Sequence, residues 1–547
     1  MTKRASLKKG AVTGTVKVTV GLVFIASVII PIIRMFSSFT IEGAKAVIEG
    51  PRFLPALKNT VVLTLVSTAI VLVLAYLLAW CINRSDMKLK GLFSVILVLP
   101  MLIPSISHGM GLITLLGTSG IITDLLGISG NIIYGPIGIV LGSVLYAFPV
   151  AFIMLSDVLK YEDMTVYEAA DVLGISKKRQ LVRITLPYLR KPLIAAVFST
   201  FSLIVTDYGV PIMIGGQTKT ISSLMYEEVI GQLDFGRGCF YGLVLLIPAL
   251  VAFAADILNK EKGTSAFVKK GEGRAYSKVR NRVAFGVCTL VSVFSILPII
   301  SFLICGFSEK YPKNITFTLK HFGDTLERYD GYLINSLVIA LATALIGTLI
   351  AFVTAYLTAR MRTPLSKGLH LLVLTFMAIP GIVLGLSYVM TFSGSAIYGT
   401  LFILIMVNTV HFISSPYLMM YNGFGKMNEN LEAVGKTMGV SRLRMIKDVF
   451  LPQSIGTVLE MFSYFFVNCM MTISAVSFLV ARDTTPISLM IPRLNNQGLI
   501  ERMAIVSLLI LVVNIIMKAV IGILKKDRWG YSAKKNTRKT KKVKVKI

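Results

Sequence analysis

Twelve long apolar stretches divide the chain into alternating hydrophobic and polar segments. Each stretch reaches the length of about 20 residues that an α-helix needs to cross a bilayer. The pattern therefore predicts an all-α polytopic membrane protein with about twelve transmembrane helices. The predicted spans cover residues 15–36, 59–82, 91–117, 134–156, 192–215, 238–258, 283–305, 333–359, 368–392, 396–420, 456–480 and 502–524.

Composition agrees with this pattern, since 55% of the 547 residues are hydrophobic, 15% are charged and the mean hydropathy is +0.76. These values exclude an ordinary soluble domain. The net charge of +29 comes from basic residues in alternate loops and in the segment 525–546, which has eleven Lys or Arg and one acid. This is the positive-inside pattern, so we expect a lipid bilayer as a partner and no nucleic acid.

The basic loops also predict the orientation of the chain. Residues 157–191 and 421–455 share their side of the membrane with both termini, and all of them are rich in Lys and Arg. Because such loops stay in the cytoplasm, we expect a multi-pass protein of the plasma or inner membrane with both termini cytoplasmic.

Two similar halves follow one another. Residues 57–60 (Leu-Lys-Asn-Thr) parallel residues 333–336 (Leu-Ile-Asn-Ser), and Pro104 parallels Pro380. Each half carries its long basic loop after its fourth span, so the repeat is parallel and predicts a pathway between the halves. The predicted organisation is a first six-helix half at 1–258, a cytoplasmic linker at 259–282, a second six-helix half at 283–524 and a basic cytoplasmic tail at 525–547.

The two long basic loops share a pattern of turn residues. Gly174 and Pro187 are 13 residues apart, and so are Gly439 and Pro452. A glycine that ends one short helix, a serine that caps the next and a proline that stops it predict a bent element projecting from the membrane. The alternative is an ordinary basic loop held near anionic lipid headgroups.

The first of these loops resembles the EAA loop of ABC importer permeases through Glu168-Ala169-Ala170, Gly174 and Ile184-x-Leu186-Pro187. In that family the loop forms a coupling helix that sits in a cleft of an ATPase subunit. The second loop departs from the motif, because the Glu168 position falls on Ala433 and Glu432 is displaced by one. The resemblance implies these coupling residues: Glu168, Ala169, Ala170, Gly174, Pro187, Glu432, Ala433, Gly439 and Pro452.

Asp207 is a carboxylate inside the fifth apolar stretch. A charge at that depth is costly unless it faces a wet cavity or a partner, so Asp207 is a candidate for the translocation pathway. The alternative is a structural hydrogen bond to a neighbouring helix. The equivalent residue of the second half is Thr472, and the candidate pathway residues are Asp207, Tyr208, Asn468 and Thr472.

The segment 206–211 (Thr-Asp-Tyr-Gly-Val-Pro), followed by Gly215-Gly216, resembles the fused permeases for ferric iron and 2-aminoethylphosphonate. Permeases for polyamines or thiamine share most of these features and remain alternatives. The resemblance implies two ABC ATPase subunits on the cytoplasmic side and an extracytoplasmic solute-binding protein on the other.

No motif in the sequence indicates an enzyme. The position where a phosphate-binding loop before Gly435-Lys436-Thr437 needs its first glycine is Asn430, and no catalytic or metal-binding cluster stands out. We therefore expect no cofactor on this chain, with ATP and Mg²⁺ bound by the partner ATPase. The rival class is an ATP-independent secondary transporter, which the parallel repeat disfavours.

Overall fold

A computed structural model describes residues 3–39, 41–127, 130–160, 162–259 and 277–544. Residues 260–276, most of the predicted linker, lie outside the described residues. The described chain is almost entirely helical. The exception is an antiparallel hairpin of β1 (Ser308–Lys310) and β2 (Asn314–Phe317).

The helices before the linker come in the following order: α1 (Lys3–Phe24), α2 (Ile30–Ser37), α3 (Ile41–Glu49), α4 (Phe53–Arg84), α5 (Lys90–Ile96), α6 (Ser105–Leu116), α7 (Ile121–Leu126), α8 (Pro136–Lys160), α9 (Thr165–Val172), α10 (Lys177–Gln180), α11 (Leu186–Val205), α12 (Gly209–Ile214), α13 (Ile221–Tyr226) and α14 (Phe235–Asn259).

After the linker the order is α15 (Lys278–Gly306), α16 (Lys320–Ala359), α17 (Pro364–Thr375), α18 (Gly381–Phe392), α19 (Leu401–Phe412), α20 (Ser414–Gly425), α21 (Leu431–Thr437), α22 (Arg442–Met445), α23 (Leu451–Met471), α24 (Met490–Asn496) and α25 (Ile500–Lys544). Short 3₁₀ segments lie at Leu99–Leu102, Gly130–Ile133, Phe376–Ala378, Arg482–Thr484 and Ile487–Leu489.

Within the described residues, ten helices are long and apolar enough to cross a membrane, and two further bent pairs bring the number to as many as twelve. Each of the twelve predicted spans overlaps one of these helices or pairs. The predicted fold class, an all-α polytopic protein of two six-helix halves, is confirmed.

The prediction of unbroken third and ninth spans is wrong. The third span breaks between α5 and α6 before Pro104, and the ninth is a pair, Pro364–Ala378 and Gly381–Phe392, bent by 104°. Proline lacks an N–H and disfavours helical backbone at the preceding residue, which explains both breaks at equivalent prolines.

The predicted fifth and eleventh spans, 192–215 and 456–480, are also interrupted. Helix α11 ends at Val205 and helix α23 ends at Met471, which are nearly equivalent positions of the two halves. In the first half a separate short helix, α12, then begins at Gly209. The candidate residues Asp207, Tyr208 and Thr472 therefore lie in non-helical backbone.

The halves exchange their first helices. Helix α2 packs on α18, where the hydroxyl of Tyr388 donates a hydrogen bond of 2.7 Å to the carbonyl oxygen of Ser27, while α15 packs on α6 and α4 of the first half. The buried ammonium of Lys17 also reaches Ser366 at 2.7 Å and the Met361 carbonyl oxygen at 2.6 Å. Each half is thereby completed by a helix from the other.

The predicted basic tail does not begin with a break in the structure. Helix α25 starts at Ile500 and its backbone continues without interruption through residue 525 to Lys544.

Candidate functional site: two exposed helix–turn–helix elements and the broken fifth spans

The first basic loop folds as two short helices joined by a tight turn. Gly174 ends α9 with a φ of +66°, and the Ile175 N–H donates to the carbonyl oxygen of Ala170 at 2.9 Å. A side chain at Gly174 would strain the backbone, because L-residues other than glycine rarely adopt this conformation. The predicted left-handed glycine therefore lies at the turn.

The second basic loop repeats this geometry. Gly439 has a φ of +72°, and the Val440 N–H donates to the carbonyl oxygen of Gly435 at 2.9 Å. The Ser441 side chain caps α22 by accepting from the Arg444 N–H at 3.3 Å. Ser176 has the extended backbone of a cap, but in the described structure its side chain makes no capping bond.

The expectation that Pro187 and Pro452 stop these elements is wrong. Each proline lies in the first turn of a long helix, α11 or α23, and a π-helical turn precedes it, at Leu181–Thr185 or Ile446–Phe450. A wider turn relieves the clash between a proline ring and the preceding helical turn. Both basic elements therefore run directly into the fifth span of their half.

A buried arginine at the end of α4 holds the first element. The guanidinium of Arg84 forms an ion pair with Glu162, and the two side chains are 8% and 3% exposed. Glu162 also accepts a hydrogen bond from the hydroxyl of Tyr167 in α9, whose ring lies under the Arg84 guanidinium at 5.6 Å. Burial and the hydrogen bond to Glu162 raise the pKa of Tyr167 to about 12, so its phenol stays neutral at physiological pH.

Arg360, directly after α16, holds the second element in the same way. Its Nε donates to Glu432 at 2.7 Å, its Nη atoms donate to the carbonyl oxygens of Met427 at 3.1 Å and Asn428 at 2.7 Å, and it lies 5.3 Å from the ring centre of Phe450. The hydrogen bond to Glu432 raises the pKa of Arg360. The arginine joins the element to the second span of its half.

These contacts explain the displaced glutamate. With Gly174 aligned on Gly439, Glu432 falls on Tyr167, and both side chains face the arginine of their own half. Glu168 is exposed in the first element, and the exposed Ala433 takes its position in the second. Glu432 is thus an internal anchor, and the exposed carboxylate of Glu168 has no counterpart at the equivalent position of the second element.

The tips of both elements expose apolar side chains. Val172 and Leu173 are 88% and 75% exposed in the first element, and Met438 and Leu443 are 73% and 80% exposed in the second. Ala169 is exposed, whereas Ala170 packs inward. Apolar tips within a basic surface are typical of protein-binding sites.

The fifth-span break gives Asp207 two backbone partners. Its carboxylate accepts from the N–H groups of Gly209 at 3.3 Å and Val210 at 3.0 Å, and so caps α12. A small pocket beside it is lined by polar and apolar side chains, among them Thr60, Thr64, Ser143, Asp207, Thr220 and Ser222. The carboxylate thus caps the helix that follows it in the chain, and it also borders a polar pocket.

The other candidate pathway residues lie along the same break. The Tyr208 ring stacks on Tyr226 with centroids 4.7 Å apart, and its hydroxyl reaches into the second half. Thr472 is the first residue after α23, and Asn468, one turn earlier, donates from its side chain to the Tyr464 carbonyl oxygen at 2.8 Å. The structure brings Tyr208 to the interface between the halves, next to the second-half break.

Sequence reasoning missed both anchoring arginines. Arg84 and Arg360 are 276 residues apart, the same offset that relates the first parts of the two halves. This shared offset was the signal in the sequence that could have identified the two arginines as equivalent residues. Their partners Glu162 and Glu432 are not at equivalent positions, so the sequence did not pair them.

Comparison with known proteins connects this geometry to a family. Residues 60–260 and 347–529 each match the family of binding-protein-dependent transport system inner membrane components. The chain belongs to this family. The two matched regions contain the two basic elements and the two broken fifth spans, one of each per match.

Relatives of this family member include transporters of different solutes. The putative ferric transport system permease protein FbpB 1 of Haemophilus influenzae is 26% identical over 71% of this chain and 64% of the relative. The ferric transport system permease protein FbpB of Actinobacillus pleuropneumoniae is 25% identical over 71% of this chain and 59% of the relative. The match therefore spans less than two thirds of either ferric relative.

A third relative matches a smaller share of this chain. The probable sulfate transport system permease protein cysT of Prototheca wickerhamii is 25% identical over 41% of this chain and 91% of its own length.

Within the described residues, no group of three or more His, Cys, Asp or Glu side chains is arranged to hold a metal ion.

Proposed function

We propose that this chain is the transmembrane permease of a binding-protein-dependent ABC importer, with both halves in one polypeptide. The observation that carries the proposal is the pair of exposed helix–turn–helix elements, each held by a buried arginine and each continuous with a fifth span. The chain forms the pathway and is not an enzyme. ATP and Mg²⁺ are bound by two partner ATPase subunits on the cytoplasmic side.

The coupling surfaces are the exposed faces of the two elements. Leu173 and Met438 insert into apolar clefts of the ATPase subunits, and Glu168 adds a carboxylate in the first element only. Gly174 and Gly439 set the turn, Ala169 and Ala433 lie on the exposed face, and Pro187 and Pro452 start the helices that carry movement into the membrane. Closure of the ATPase dimer draws these surfaces together and separates the halves on the far side.

The pathway runs between the halves along the fifth-span breaks. Asp207, Tyr208, Asn468 and Thr472 lie near this line, and the solute-binding protein delivers its ligand from the extracytoplasmic side. Irregular backbone at membrane depth occurs where it is buried in protein or lines a cavity. In the closed arrangement seen here, Tyr208 bridges the two halves.

We propose ferric iron as the first substrate to test, because two relatives that match most of the chain are ferric permeases. A phosphonate is the second candidate, from the resemblance of the segment 206–211. A sulfate permease among the relatives shows that the family does not restrict the solute. Polyamines and thiamine complete the set to be screened.

The deciding experiment is co-purification of the detergent-extracted chain from its own membranes, followed by transport in liposomes. We expect two ATPase subunits per chain and ATP-dependent uptake of the solute supplied with the binding protein. Leu173→Asp combined with Met438→Asp removes the ATPase, because a charge in an apolar cleft is costly. Leu125→Asp, at an equally exposed leucine outside both elements, is the matched control. A chain that purifies alone and transports without ATP is a secondary transporter.

A further inference from the structure

The second span of each half is attached to other elements at both of its ends. At one end the coupling element is held by Arg84, the last residue of α4, or by Arg360, the residue after α16. The second attachment is made by Thr60 or Ser336, each 24 residues before the arginine of its half. A straight helix of that length spans about 36 Å, enough to cross a membrane core of about 30 Å.

In the first half the far attachment holds the turn at residues 219–222. The Asn59 side-chain amide donates to the carbonyl oxygen of Lys219 at 3.1 Å. The hydroxyl of Thr60 accepts from the N–H of Ile221, the first residue of α13, at 2.8 Å. The first N–H groups of a helix have no partner within it, so this hydroxyl satisfies a group that needs one.

In the second half the same two positions hold the turn at residues 485–488. The Asn335 side-chain amide donates to the carbonyl oxygen of Asp483 at 2.8 Å and to that of Thr485 at 3.3 Å. The hydroxyl of Ser336 accepts from the N–H of Ile487, the first residue of a 3₁₀ segment, at 2.7 Å. The matching sequences 57–60 and 333–336 thus make the same bonds.

Each of these two turns is also hydrogen-bonded to the break in the fifth span of its own half. The Ser222 hydroxyl donates to the carbonyl oxygen of Asp207 at 2.7 Å, and the Ser488 hydroxyl donates to that of Thr472 at 2.8 Å. Asp207 precedes Tyr208, which bridges the halves. A chain of hydrogen bonds therefore runs from the far end of each second span to the contact that closes the pathway.

We propose that α4 and α16 are rigid struts. Each carries the movement of its coupling element to the turn at residues 219–222 or 485–488, next to the contact of Tyr208 that closes the pathway. Asn59, Thr60, Asn335 and Ser336 are positioning residues of this linkage, and Arg84 and Arg360 are its cytoplasmic ends. A continuous helix transmits displacement along its whole length, whereas α11 and α23 of the fifth spans carry it only as far as their ends at Val205 and Met471. The inference rests on the proposed function, since it needs an ATPase that moves the coupling elements.

The test uses the complete complex of permease, ATPase and binding protein in nanodiscs. Spin labels at Gln217→Cys and Arg482→Cys, exposed positions just before the two turns, report the separation of the turns. The five native cysteines are buried. The strut variant is Thr60→Val with Ser336→Ala, which removes both hydroxyl acceptors with little change in volume.

We expect ATP with vanadate to move the labels apart in the unaltered complex and not in the strut variant. Loaded binding protein stimulates ATP hydrolysis about 25-fold less in the variant, since the loss of each of the two hydrogen bonds, one per half, contributes a factor of about five. The recovery of ATPase subunits stays unchanged. The conservative exchange Thr60→Ser with Ser336→Thr retains both hydroxyls and restores both readouts.

Matched controls are available on the same helices. Ser67 in α4 and Thr348 in α16 are buried, and within the described residues their hydroxyls have no hydrogen-bond partner, so Ser67→Ala with Thr348→Val leaves both readouts unchanged. Label movement in the strut variant equal to that of the unaltered complex overturns the strut inference. Absence of ATPase binding or of any ATP response in the unaltered complex overturns the proposed function instead.

Discussion

The hydroxyl of Tyr208 donates a hydrogen bond of 3.1 Å to the carbonyl oxygen of Ile473, the residue at the equivalent position of the other half. The same hydroxyl lies 2.6 Å from that of Ser477. Both partners come shortly after the end of α23 in the second half, and Tyr208 lies in the first-half break between α11 and α12. The halves are therefore closed on each other where both fifth spans are interrupted.

Replacement of Tyr208 by Phe removes these bonds and keeps the stacked ring. A buried hydrogen bond contributes about 1 kcal/mol, so the separated arrangement of the halves becomes roughly five-fold more populated. We expect basal ATP hydrolysis of the reconstituted complex, measured without binding protein, to rise by up to that factor. Tyr226→Phe keeps the stack and the Tyr208 bonds, and serves as the control. Unchanged basal hydrolysis in Tyr208→Phe would show that this contact does not close the pathway.

The two buried arginines are paired with carboxylates at different positions, Glu162 before α9 in the first half and Glu432 within α21 in the second. The carboxylate of the first half can therefore be moved to the position that it has in the second half. Glu162→Gln leaves the buried Arg84 without a charged partner, a change that costs about 3 kcal/mol. We expect a lower melting temperature and less recovered ATPase. Adding Tyr167→Glu places a carboxylate at the position of Glu432 in the second half, and should restore both.

Glu168→Gln is the control for the transplant, since that side chain is exposed on the next position of the helix. It should leave the melting temperature unchanged. A double variant no better than Glu162→Gln alone would mean that the two arginine anchors are not interchangeable.

Gly209 lies against Ser105, and a Cβ added at Gly209 would be 2.5 Å from that hydroxyl oxygen. The second half reverses the pair, with Gly381 against Ser474. Gly209→Ala should destabilise the fold by about 1–3 kcal/mol, measured as a lower melting temperature in detergent. Ser105→Gly in the same chain should recover part of the loss.

Gly286→Ala tests whether any added methyl group has this effect, because a Cβ there meets nothing within 4 Å. It should not lower the melting temperature. If Ser105→Gly brings no recovery, the close approach to the Ile106 backbone, and not the serine, limits the site.

Gly174→Val tests the turn of the first coupling element. A Cβ there meets nothing within 4 Å, so the cost of about 1–2 kcal/mol comes from the left-handed backbone alone. We expect several-fold slower transport with normal insertion into the membrane. Gly174→Asn, which tolerates this backbone, should transport nearly normally. Coupled transport at the full rate in Gly174→Val would contradict the docking role of the turn.

The spans, the repeat and the turns of the two basic elements were predictable because each depends on a local pattern. Apolar length predicts a span wherever it occurs, and Gly174 and Gly439 mark turns that few other residues could make. The breaks before Pro104 and Pro380 were open to the same reasoning. They were missed because hydropathy alone does not distinguish a straight span from a bent one.

The direction of each side chain in the two basic elements was not predictable. Glu432 and Glu168 look alike in the sequence, and only the position of Arg360 turns one of them inward. Asp207 likewise gained its role as a helix cap from the start of α12 two residues later.

The amino-acid sequence by itself determined the membrane class, the two parallel halves and the two exposed elements, since these follow from apolar length, charge and turn residues. The tertiary structure alone decided which residues connect them. Thr60 and Ile221 are 161 residues apart, and Tyr208 and Ile473 are 265 apart. Hydrogen bonds across such separations depend on how helices pack, which no local pattern records.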